Sequence, residues 1–157
     1  PRRRDLARRA IDRQSLLGPL GLIDEEVPGS QNEDWDILLR AAKLGGIVHV
    51  DEPLVVVMWG AASFFTRTWD TKISSLHWML DRHPEIEQDR KGVGRVYGQI
   101  AFGEAGRPDR RAAVQWARRA LGRDPLQWRA YVALVVASGL VTPARVLDTL
   151  HKFGRGV

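Results

Sequence analysis

Three acids, Glu33, Asp34 and Asp36, fall within four residues of the stretch "SQNEDWDILLRAAKLGG". A carboxylate so placed can act as a general base, taking the proton of a hydroxyl as its oxygen attacks an electrophilic carbon. It can equally do no more than start a helix, because first-turn acids interact favourably with the helix dipole by about 0.3–1 kcal/mol each. Ser30 and Glu33 fit an S-x-x-E capping box, and Asp36 lies one helical turn before Arg40. Helical geometry separates the three acids. At about 100° per residue, Asp36, Arg40 and Lys43 share a polar face, with Trp35, Leu38, Leu39, Ala41 and Ala42 on the opposite apolar arc. Asp34 falls inside that arc and Glu33 at its margin. Asp34 is therefore expected to point inward, where a carboxylate is costly unless it has a partner or borders a cleft. Helix start and general base both stand on the residues alone.

The elements that must position these acids are legible around them. Residues 1–13 form a basic arm, and 14–30 a short segment followed by the loop "GLIDEEVPGS". The capping box opens a helix that runs to about Leu44, where Gly45 and Gly46 end it. "IVHV" and "LVVVMW", separated by "DEP", have the composition of two short strands. From Phe65 onward the pattern is helical: Trp69, Ile73, Leu76 and Leu80 keep one face, and "RHP" closes the segment. Further helices are expected over about 85–104 (with Gly92 and Gly94 as candidate interruptions), 109–121, 126–138 and 143–152. The expected fold class is an α/β fragment up to residue 64 and an all-α tail over 65–157. Within that tail, Tyr97, Ala101, Ala113, Ala120 and Pro125 fall at spacings similar to one tetratricopeptide helix pair, which ordinary packing of small residues would also produce.

Composition narrows the classes. The 157 residues are 44% apolar, enough for a real core, and they contain no cysteine, which excludes disulfides and thiolate metal sites. The apolar run from Tyr131 to Val141 is too short to span a bilayer, and the charged amino end has no signal-peptide core. The net charge of +5 comes with arginines at helical spacing and with five in the first nine residues. No helix-turn-helix, zinc-finger or aromatic RNA-binding pattern accompanies it, so no nucleic-acid partner is expected. The four histidines, His49, His77, His83 and His151, show no metal-ligand spacing.

The ordered set "GLIDEEVPGSQNEDWDILLRAAKLGGIVHVDEPLVVVMWGAAS" resembles the acceptor-side half of glycosyltransferase family 2, whose members have the GT-A fold. The likeness covers about residues 14–80. It implies a Rossmann-like α/β setting for residues 14–64, with a sugar passing from a nucleotide-sugar donor to a saccharide or lipid-linked acceptor. By that resemblance Asp34 matches the catalytic base of a single, inverting displacement. Glu33 would assist it, Trp35 would wall the sugar pocket, and Asp24 would contact substrate. Trp59, Ser63 and Arg67 match the loop that closes over the diphosphate. Met58 and Gly60 stand where members often carry arginine and histidine. A divalent cation, Mn or Mg, is implied for the full enzyme, with ligands mostly outside this chain. The nucleotide-binding half should precede residue 14, where only the arginine-rich arm stands. The chain is thus expected to be a carboxy-terminal piece, inactive alone, of a bacterial cell-envelope enzyme. Its place would be the cytoplasm, peripheral at the inner face of the membrane. The alternative is a helical protein-interaction module without activity.

Overall fold

A computed structural model describes residues 18, 20–53, 69–107 and 110–152. Among them every regular element is helical: α1 (Glu33–Leu44), α2 (Trp69–Arg82), α3 (Arg90–Ala105), α4 (Arg111–Arg123), α5 (Trp128–Ala137) and α6 (Pro143–Lys152), with short 3-10 turns at Pro28–Ser30 and Pro84–Gln88. No strand or sheet occurs among the described residues, which overturns the expected α/β, Rossmann-like character of 14–64. "IVHV" is irregular and exposed, and "LVVVMW" lies outside the described residues. Strand composition alone does not make a strand, because an extended segment needs a paired neighbour to be stable. The described residues fall into two compact units. One comprises 18, 20–26 and 32–53; the other 27–31, 69–107 and 110–152.

The larger unit is a helical assembly cored on α3. Its sequence places Val93, Val96, Tyr97, Ile100, Ala101 and Phe102 inside. Gly92 and Gly94 do not interrupt the helix, which begins at the Asp89 cap, whose carboxylate accepts from Lys91 N–H at 3.1 Å. Gly94 and Gly98 instead allow close approach: a Cβ on either would come within 3.0 Å of the Cβ of Asp124 or Arg129, respectively. α4 meets the core through Ala113, Ala117 and Ala120, all fully buried at i, i+4, i+7, and α5 through Ala130, Ala133 and Val136. Small side chains at a crossing let backbones pack closely, so these alanines carry the α3–α4–α5 packing. α2 adds Ile73, Leu76 and Met79, and its Trp69 ring meets Phe102 edge-on at 5.5 Å. α6 starts after Thr142, whose hydroxyl accepts from Arg145 N–H at 3.4 Å.

Residues 27–31 are pinned to α2. Val27 is buried, the Ser75 hydroxyl donates to the Gln31 carbonyl, and Gly29 lies against Thr71 at φ +60°. A side chain at 29 would need a left-handed backbone and would overlap the Thr71 methyl. Gly29→Ala is expected to destabilise the protein by about 1–3 kcal/mol, read as a lower urea midpoint.

Tyr97 links α3 to the 3-10 turn at Pro84–Gln88. Its hydroxyl donates to Glu87 Oε1, and Arg123 donates to Glu87 Oε2 at 2.8 Å. Burial, then the hydrogen bond and charge of Glu87, raise the phenol above its ordinary value, with Arg123 opposing. The folded state therefore holds this proton more tightly than the unfolded chain does. That stabilisation is full below about pH 10 and is lost as pH climbs through the folded-state value. Urea midpoints taken from neutral to alkaline pH should fall less steeply for Tyr97→Phe than for the wild type.

Candidate functional site

The smaller unit places the acids. Residues 20–26 form a loop that the Arg40 side chain ties to α1. Its Nε donates to Asp36 Oδ2 at 2.8 Å, its Nη2 donates to the Leu22 carbonyl at 2.9 Å, and its Nη1 donates to the Leu20 carbonyl. Gly21 allows this arrangement: it sits at φ +76°, and a Cβ there would lie 3.3 Å from Arg40 Nη1. Asp36 is fully buried, while the Arg40 side chain keeps 17% of its exposure. Asp24 lies in the same loop, where its carboxylate accepts from Glu26 N–H at 3.0 Å and closes a local turn.

The start of α1 differs from the capping box. Ser30 belongs to the preceding 3-10 turn, at φ 51°, and Asn32, at φ 70°, occupies the cap position, where its side chain makes no capping hydrogen bond. Glu33 is the first residue of the helix, and its Oε2 is buried without a hydrogen bond. The turn that starts at Pro28 and Gly29 consumes the residues that a capping box would have used.

Asp34 is exposed, with its Oδ1 folded back to accept from Trp35 N–H at 2.8 Å. This corrects the inward direction inferred from the helical wheel. Asp34, Leu38 and Ala42 share one direction, as the wheel requires, but that direction is outward, with Leu38 half-exposed. Asp36 and Arg40, assigned to the solvated face, are instead the buried side. Three acceptor oxygens satisfied by one guanidinium, Asp36 Oδ2 and the Leu20 and Leu22 carbonyls, make that burial tolerable. Trp35 is half-buried beside Asp34 in sequence. Trp59, Ser63 and Arg67, with Met58 and Gly60, lie outside the described residues.

The geometry brings together the two phrases singled out in the sequence, "GLIDE" and "EDWD", through Arg40. It leaves one carboxylate, Asp34, in water at the helix mouth. Such a group can accept a proton from a hydroxyl delivered to it, while Asp36 serves structure. Arg40 is the residue that the sequence reading undervalued; the one signal for it was its spacing from Asp36. Among the described residues no three His, Asp or Glu side chains converge to hold a metal ion. Lys72 belongs to the other unit, where burial, and then the charge of Arg129, lower its amine below the ordinary lysine range. No helix among the described residues is long and apolar enough to cross a membrane. No family model, no curated protein and no solved structure matches the chain.

Proposed function

We propose that this chain is the acceptor-side, base-carrying part of an inverting glycosyltransferase that uses a nucleotide-sugar donor and a glycan or lipid-linked acceptor. The observation that carries the reading is the Arg40 tie. The loop and helix phrases resembling the family are held together in space, and Asp34 is the acid of the helix phrase that stays exposed. In the reaction Asp34 takes the acceptor hydroxyl's proton as that oxygen bonds to the anomeric carbon. The bond from that carbon to the nucleotide diphosphate breaks with its electron pair, and the configuration inverts. Trp35 walls the sugar side and Glu33 orients the base. Donor binding and any cation belong to residues other than those described, and no step is routed through them.

The test is release of nucleotide diphosphate by the polypeptide that the gene holding this sequence encodes, across a panel of sugar nucleotides with Mn²⁺ or Mg²⁺ and candidate acceptors. Release that depends on the acceptor supports the reading. No release with any donor from folded protein refutes it and favours the second reading, a helical interaction module. That second reading is favoured by one observation: Leu126 and Leu140, at either end of α5, are 87% and 79% exposed.

A further inference from the structure

Beyond the basic arm of residues 1–13, two stretches carry opposite charge. Residues 18–53 hold eight Asp and Glu against only Arg40 and Lys43, whereas residues 90–152 hold twelve Lys and Arg against four acids. Each part also leaves apolar side chains in water. In the acidic part, Ile47, Val48 and Val50 are 55%, 82% and 54% exposed, and Asp51 and Glu52 follow directly, both exposed. This segment has no regular structure, and among the described residues no hydrogen bond joins the backbone of 46–50 to another segment. In the basic part, Arg118 and Arg119 face out from α4, with the Arg119 guanidinium stacked 4.5 Å above the Trp116 ring. Leu126 follows α4 in the next turn, and Tyr131, half-exposed, folds back over that turn by donating to the Pro125 carbonyl at 2.8 Å.

A contact between two copies through the same patch would set like charges against each other, acid on acid or arginine on arginine, and like-charge juxtaposition suppresses association. A contact between unlike patches removes apolar surface from water on both sides while pairing carboxylates with guanidinium groups. The side chains concerned are exposed. We propose that the chain associates head to tail, the Ile47–Glu52 segment of one copy docking on the Arg118, Arg119 and Leu126 surface of the next. Such a contact is heterologous, so it propagates into a ladder unless its rotation closes a ring.

Sedimentation velocity on the 157-residue chain, over about a hundredfold range of concentration at about 0.05 M and 0.5 M NaCl, tests this. The expected result is a mass that rises with concentration at low salt and an association constant at least about tenfold weaker at high salt. Arg118→Glu with Arg119→Glu should stay monomeric, as should Asp51→Lys with Glu52→Lys. The two swapped proteins, mixed one to one, should associate again. Circular dichroism checks that each remains folded, and Val48→Asp, at an exposed position, should weaken association independently. A monomer at every concentration overturns the proposal, as does association that salt strengthens or that survives either swap. A monomer that instead sediments with phosphatidylglycerol vesicles would assign the arginine surface to lipid, which also overturns it.

Discussion

Asp34→Asn should lower the turnover of the transfer-competent protein by about 10²–10⁴-fold, the usual contribution of a positioned general base. The substitution is close to isosteric. The amide oxygen can still accept from Trp35 N–H, and the side chain is exposed, so neither a cap nor a buried contact is lost. Stability should therefore change by no more than the helix-dipole contribution of a first-turn acid, about 0.3–1 kcal/mol. The amide cannot take the acceptor proton. Binding of the acceptor should survive, so the loss should fall on kcat rather than KM. Near-normal turnover in the variant would remove Asp34 from the chemistry. A loss of the same size from a neighbouring substitution, such as Glu33→Gln, would make the pair rather than Asp34 alone the base.

The helices of the larger unit were readable because their signals are local. Trp69, Ile73 and Leu76 repeat at helical spacing, and Gly and Pro punctuate the ends, so α2 through α6 lie within a few residues of their expected bounds. Gly94 looked like an interruption because a sequence does not display the Asp124 side chain it has to clear. The strands failed for a different reason. The β-branched run "IVHV" records only that an extended conformation is tolerated, whereas a strand exists by pairing, and residues 46–50 have no described partner. The tetratricopeptide-like spacing has the same limit, since alanines buried at helix crossings satisfy it whether or not a repeat is present.

At the candidate site the wheel gave correct angles between residues and the wrong choice of interior. Which face of α1 turns inward is decided by Arg40 reaching carbonyls twenty and eighteen residues earlier, at Leu20 and Leu22. Backbone carbonyls carry no sequence signature, so only Gly21, which lets the loop lie against the guanidinium, hints at the contact. A hydrophobic arc is then free to face water, as Leu38 does.

That network supports the second large prediction. Asp36→Leu leaves the Arg40 guanidinium mostly buried, with its carbonyl acceptors but without the Asp36 carboxylate, and Arg40→Met leaves a fully buried carboxylate without that guanidinium. Breaking one side of a buried pair typically costs about 3–5 kcal/mol. Each single variant should lower the opening free energy of α1 by that order, measured by amide hydrogen exchange along the helix together with a urea titration. Arg40→Met should in addition release residues 20–22, since both carbonyl bonds disappear with the guanidinium, so protection should fall in the loop as well as the helix. Replacing both, Asp36→Leu with Arg40→Met, removes both charges from the interior, and the double variant should recover more than half of the summed loss. Full additivity would mean that the two side chains stabilise α1 separately and that the ion pair is incidental. The contrast with Asp34 then separates structure from chemistry within one turn of helix: at 36 the cost falls on folding, at 34 on the rate.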